Sequence, residues 1–215
     1  MNKRILVVIL ISIVVFFIVK QLVYKPYMWK KAINSKEHKL QLGSFIFSKQ
    51  RGSNGSQSYT TYYFVFKVIE INGDFVRLSV IRKLSDEGVI SQDDFSTTSE
   101  HYKALKENVN QLLITPILSE DLHKGKGSPY ELNDYLLEKY PDLKKSRYYF
   151  EDIPAANKNK PVPKDPNLLI THFDMVYSKK AIIEEGKLTQ WVYDDFKKVP
   201  EIAERLSNNI DLILN

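Results

Sequence analysis

The chain has 215 residues, 31 Lys/Arg against 26 Asp/Glu for a formal net charge of +5, and no cysteine. Without thiols there are no disulfides, no thiol nucleophile and no thiolate metal ligands, and the redox compartment stays open. The charge is unevenly placed: residues 1–39 carry eight Lys/Arg against one Glu, leaving 23 against 25 in residues 40–215. The body thus lacks the basic excess that neutralises a nucleic-acid backbone, and no nucleic-acid partner is expected.

After Lys3 and Arg4, residues 5–19 form an uncharged run in which Ser12 is the one polar side chain. As a helix this run covers about 22 Å, short of a hydrocarbon core of roughly 30 Å. Extension to Tyr24 supplies the length if Lys20 bends its stem toward the headgroups. Tyr24, Tyr27 and Trp29 then fall where amphipathic rings favour the interface. A signal peptide is the rival reading, but no Ala-x-Ala-like site follows the run, so an uncleaved single-pass anchor through residues 5–24 is expected. The lysines behind it (Lys20, Lys25, Lys30, Lys31, Lys36 and Lys39, opposed by Glu37) favour a cytoplasmic body by the positive-inside rule. The basic pair ahead of the first apolar segment is export grammar. The two arguments nearly balance, and the extracytoplasmic placement is adopted.

Residues 1–30 are read as the anchor with its basic-aromatic flank, and 31–215 as one α+β domain with a proline-rich loop at 152–167 (Pro154, Pro161, Pro163, Pro166). From 40 to 84 the pattern is β, with Phe45 and Phe47, then Tyr62, Phe64, Phe66 and Val68, then Val76, Leu78 and Val80. Asn72-Gly73 marks a hairpin. A two-residue turn sets Val65, Lys67 and Ile69 on the face of Val80, Leu78 and Val76, burying a lysine. A three-residue tip with a glycine bulge brings Phe66 and Val68 there instead, and is preferred. Residues 51–58 suit a hairpin loop.

Helical signals follow. Thr97-Thr98-Ser99-Glu100 is a capping-box match ahead of Tyr102, Leu105, Val109 and Leu112. A short apolar run over 112–117 predicts a further strand. Ser128-Pro129-Tyr130-Glu131 opens a helix with Leu132, Tyr135, Leu136 and Tyr140 on one face and Pro141 as its stop. Residues 147–151 predict a strand, and 168–185 stay divided between strand and helix, with Gly186 as a stop. A short helix is expected from Thr189 through Trp191, Val192 and Phe196. A last helix is expected from Pro200, with Ile202, Ala203, Leu206, Ile210 and Ile213 along one side. The fold class is therefore α+β: an N-terminal transmembrane helix, an antiparallel β-meander and a mainly helical C-terminal half.

Chemistry is thinly marked. His38, His101, His123 and His172 have no ligand spacing among them. His172 and Asp174 share a face if they lie on a strand, which is the one basis for a membrane-anchored hydrolase as the alternative function. Lys124-Gly125-Lys126-Gly127-Ser128 lacks the earlier glycine of a phosphate loop, because Glu120 stands there. The acidic pairs Asp93-Asp94, Glu184-Glu185 and Asp194-Asp195 diverge as sequence neighbours. The stretch 144–150, with Lys144, Lys145, Arg147, Tyr148 and Tyr149, reads as a helix exit into a half-buried strand rather than an RNA-facing one. Tyr62-Tyr63 and Tyr148-Tyr149 each put one ring on either face of a strand, and an outward ring suits a protein interface. No catalytic, cofactor-binding or metal-binding residue is assigned, no cofactor is implied and no small-molecule ligand is evident. The expected function is a membrane-tethered, non-enzymatic binding or accessory domain that contacts another protein, an immunity or envelope-complex component being one instance of the class.

Overall fold

The computed structural model describes residues 3–53, 58–83, 96–118, 134–152, 174–193 and 200–215. It opens on one long helical rod. α1 (Lys3–Val19) passes through a π-helical turn at Lys20–Tyr24 into α2 (Lys25–Ile33). The wide turn has a cause in the sequence: Pro26 brings no N–H and crowds the preceding turn. The Lys25 N–H reaches back five residues to the Lys20 carbonyl, which gives the proline room. α1 buries none of its residues, and the rod is long and apolar enough to cross a membrane. That is compatible with a single-pass anchor or a signal sequence.

The strands are β1 (Phe45–Ser53), β2 (Tyr59–Asn72), β3 (Phe75–Val80), β4 (Arg82–Lys83), β5 (Ile114–Leu118), β6 (Tyr148–Asp152), β7 (Asp174–Ser178), β8 (Lys187–Tyr193) and β9 (Pro200–Leu214). Six of them close an antiparallel barrel in the order β1-β2-β3-β7-β8-β9, and β9 returns to pair with β1 from Phe45↔Leu214. Every barrel strand sends apolar side chains inward. Ile46, Phe66, Val68, Val76, Leu78, Val80, Tyr177, Leu188, Ile210 and Ile213 form one buried cluster, so the lumen is filled by side chains as in other small barrels.

The β2–β3 hairpin solves its register differently from either sequence-based option. Its connection is the two residues Gly73 and Asp74, between the pair Asn72↔Phe75. Ile69 is then an extra residue, because the pairs jump from Glu70↔Arg77 to Val68↔Leu78. The bulge sits inside the strand rather than at the tip, and it brings Val68 and Phe66 opposite Leu78 and Val80. The inward set is the one expected, reached by another route.

At their near halves β1 and β2 are covered on both faces, with Phe45–Ser48 and Val65–Phe66 buried. Their outward side chains Phe45, Phe47 and Val65 pack with Ile81 and with Tyr102, Leu105 and Val109 from α3 (Ser99–Asn108) and its exit. Thr98, not Thr97, caps α3, accepting a hydrogen bond from the His101 N–H. Thr97 is spent on β2: its N–H donates to the Tyr63 carbonyl. Beside α3 lies a second sheet, β4-β6-β5, in which β5 runs parallel to β6. Its outer side packs Ile117 and Tyr149 against Leu136 of α4 (Asp134–Lys139) and Leu143.

The pairings define two ends. At the near end lie the start of β1, the β2–β3 turn, the passage from β7 to β8 and the end of β9. α2 docks there. Ile33 enters the barrel core, and the Trp29 indole donates to the Ile182 and Ile183 carbonyls at 3.0 and 3.1 Å. Those carbonyls belong to a π-helical turn, Ala181–Glu185, ended by Gly186 at φ 65°. The same glycine is required twice, since a Cβ there would lie 2.8 Å from the Trp29 ring. The linker to β1 is tied to the chain's end by His38 Nδ1–H to the Ile213 carbonyl (2.6 Å) and Asn215 Nδ2–H to the Lys36 carbonyl (2.6 Å). The anchor boundary drawn at residue 30 thus falls inside α2. At the far end the β1–β2 hairpin continues past its neighbours, as β9 pairs with β1 up to Ser48 and β3 with β2 from Phe66.

The mainly helical C-terminal half is overturned: β8 and β9 occupy residues read as two helices. The helical spacing had a physical mimic. Ile210 and Ile213 both face the lumen although three residues apart, because β9 bulges at Asp211 between the pairs Phe47↔Leu212 and Ser48↔Ile210. β9 is irregular again between the pairs Leu188↔Asn208 and Gln190↔Ala203. A strand broken twice has no sustained period of two. Of the stretch left divided, 168–173 lie outside the described residues, and the rest is both things: β7, then a helical turn that Gly186 stops.

Candidate functional site

The densest group of interacting ionisable side chains among the described residues forms around the bulged Asp211. Its carboxylate faces out of the barrel toward α3, where the Tyr102 hydroxyl donates to Oδ2 at 3.1 Å. Lys49 of β1 stands 3.3 Å from the same oxygen, and Lys106 of α3 also donates to it. Both ammonium groups lie near the Tyr102 ring, at 5.7 and 5.2 Å from its centroid. Phe47 meets that ring edge-on at 5.4 Å and Tyr63 lies tilted against it at 5.1 Å. Burial pushes the Asp211 carboxyl up, and the hydrogen bonds and charges of Lys106 and then Lys49 more than reverse this, leaving it below its ordinary value. Burial first, then the Asp211 charge and hydrogen bond, raise the Tyr102 phenol. At neutral pH the carboxylate is ionised and the phenol keeps its proton, so neither is poised to exchange protons. The arrangement acts as a clasp between α3 and the barrel wall.

A second ionic feature lies where the barrel meets the small sheet. Arg82 is fully buried, with Nη1 4.0 Å from Glu151 Oε1 and its guanidinium 5.9 Å from the Tyr149 ring centroid. The Glu151 N–H donates to Ser79 Oγ at 3.2 Å, joining β6 to β3. Burying such a pair costs desolvation that good geometry has to offset. Neither Asp211, Arg82 nor Glu151 stood out in the sequence. For Asp211 the available signal was a lone charge inside an apolar stretch, Ile210-Asp211-Leu212.

Of the sequence-based candidates, His172 lies outside the described residues, and Asp174 opens β7 with its backbone opposite Ser79. His123, the Lys124–Ser128 stretch, Asp93-Asp94 and Asp194-Asp195 also lie outside them, as does most of the proline-rich stretch 152–167. Glu184 and Glu185 are exposed, Glu185 pairing with Lys187 at 3.0 Å. His101 sets its ring edge against Tyr148. Tyr148 and Tyr149 are both buried, against the expectation of an outward ring, because β6 is the middle strand of a sheet covered on both faces. Tyrosines that face solvent on the body are Tyr59, 75% exposed on the far-end hairpin, and Tyr135, 51% exposed on α4. Among the described residues no three His, Cys, Asp or Glu side chains gather as a metal site would require. No protein-family model, curated protein or solved structure matches this chain.

Proposed function

We propose that this chain is a membrane-tethered, non-enzymatic binding domain that contacts another protein, held by α1 as an uncleaved single-pass anchor. The observation that carries the reading is the placement of rod and hairpin. The apolar rod enters the barrel at one end, while Lys49–Ser53 and Tyr59–Tyr63 extend the β1–β2 ribbon at the other. Arg51, Tyr59, Thr60 and Thr61 are exposed there. Tyrosine and arginine are the residue types that interfaces favour. Site-specific photo-crosslinking in cells tests it. A crosslinker at Tyr59 in the full-length chain should give a discrete protein adduct, and a ribbon that yields none at Arg51, Tyr59 or Thr61 would sink the reading.

We place the body on the extracytoplasmic side, on the strength of Lys3 and Arg4 ahead of the apolar run. Protease added to intact cells with permeable outer layers should degrade the body while cytoplasmic controls survive. Full protection would mean that the lysines after the run set the topology.

A further inference from the structure

We propose that the near end of the barrel is a second lipid-contact surface, seated in the headgroup layer of an anionic phospholipid bilayer. The proposal rests on the tethered reading above and goes beyond it by fixing which face meets the membrane. Distance makes the first argument. Trp29 stands five residues past Tyr24, about 7.5 Å along the helix, and a headgroup layer is roughly 5–7 Å deep on each side. The Ile182–Ile183 carbonyls that receive the Trp29 indole therefore lie at the outer border of that layer.

Rigidity makes the second. α2 is part of the barrel core through Ile33, and its linker is stitched to the end of β9 through His38 and Asn215. α2 is thereby fixed to the barrel, and the near end is the end at which the apolar rod enters. Composition makes the third. Leu42, in the loop that bonds Gly43 N–H to the Val68 carbonyl, is 68% exposed, and Ile183 beside the indole is 36% exposed. Around them Lys30, Lys31, Lys36, Lys39 and Lys180 are exposed, opposed by Glu37, Asp74 and Glu184. Two further acids are paired, Glu185 with Lys187 at 3.0 Å and Glu70 with Arg77 at 2.9 Å. Apolar tips within a lysine-rich rim suit a surface that dips between anionic headgroups.

The absence of cysteine makes the test direct. Single nitroxide labels at Ser12→Cys, Leu42→Cys, Ile183→Cys and Tyr59→Cys are placed in the full-length chain. The chain is reconstituted in phosphatidylcholine vesicles with and without phosphatidylglycerol. Collision with a water-soluble nickel chelate reads the depth of each label. Labels at Leu42 and Ile183 should be shielded several-fold relative to Tyr59 when phosphatidylglycerol is present. That shielding should fall when Lys30, Lys31, Lys36 and Lys39 are replaced by Gln. Leu42 and Ile183 labels as accessible as Tyr59, with Ser12 in lipid, would overturn this proposal alone. Shielding that persists unchanged in detergent micelles would assign the surface to a protein contact and overturn it too. A Ser12 label in water would overturn the tether together with the proposal.

Discussion

Helix α2 reaches the barrel with one buried aliphatic side chain, Ile33, and one indole that donates to two backbone carbonyls. Helix α3 lies along the outer wall instead, with Tyr102, Leu105 and Val109 buried and one carboxylate shared by two lysines and a phenol. The first seat uses neutral groups only, so its stability should ignore pH and salt in the range where backbone and indole stay unchanged. The second contains an ionised group whose partners hold it below its ordinary pKa, so part of its stability titrates. Two helices that pack on one barrel, one at its end and one on its wall, thus give it one fixed and one condition-dependent contact.

The sharpest way to break the α2 seat is Gly186→Val. The residue sits at φ 65° with a Cβ position 2.8 Å from the Trp29 ring, so the change adds left-handed strain to a steric clash. The cost should exceed about 3 kcal/mol, read by urea denaturation of the detergent-solubilised full-length chain. In a Trp29→Ala background the clash disappears and about 1–2 kcal/mol of backbone strain remains. Equal costs in the two backgrounds would show that the indole does not lie on Gly186.

On the α3 side the corresponding change is Tyr102→Phe. It keeps the ring between Phe47 and Tyr63 and removes the hydroxyl that donates to Asp211. A hydrogen bond to an ionised partner is worth about 1.5–3 kcal/mol, which denaturation would read at neutral pH. Tyr102→Ala should cost more, since the ring is buried.

The pH profile separates the two seats directly. Asp211 has a lowered folded-state pKa, so its contribution is present above the unfolded value of about 3.9 and lost as pH falls through the folded one. Asp211→Asn should flatten the acid limb of a stability–pH curve, and Gly186→Ala should leave that limb's shape alone. At the alkaline side the signs reverse. Tyr102, and Tyr177 inside the barrel, are both raised by burial, so stability should fall as pH climbs past about 10, where the unfolded phenols ionise. Tyr102→Phe would soften that fall, leaving the share due to Tyr177 and to Tyr148, whose phenol is also raised by burial.

The same contrast explains what the sequence disclosed. The inward face of β2 and β3 was readable because Phe66, Val68, Val76, Leu78 and Val80 keep the period of two on either side of one bulge. β9 was not, because its bulge at Asp211 sets Ile210 and Ile213 three apart, a helical interval made by a strand. Capping chemistry placed α3 within one residue, since Thr97 and Thr98 offer the same hydroxyl and the Tyr63 carbonyl chooses between them. The Asp211 clasp could not be foreseen: its partners come from β1 and α3, more than a hundred residues away in the chain. No local spacing records such a meeting. The indole on Gly186 belongs to the same class, because it depends on where a distant segment arrives.

The smallest effect is expected at Lys49, and it tests how the clasp divides its work. Lys49 and Lys106 share one Asp211 oxygen, but the Lys49 side chain is 49% exposed and that of Lys106 26%. Solvent screens the more exposed partner, so Lys49→Met should cost about 0.2–1 kcal/mol and shrink further in salt. Lys106→Met should cost more and keep more of its effect in salt, because its ammonium is better shielded and lies along the ring of Tyr102. In an Asp211→Asn background both costs should drop, and the Lys106 cost should drop further, as coupling through one carboxylate requires. A Lys49 effect equal to that of Lys106 at high salt would mean that packing of the lysine stems, not the shared charge, holds α3 to the wall. The acid limb assigned to Asp211 would then have to come from another carboxylate.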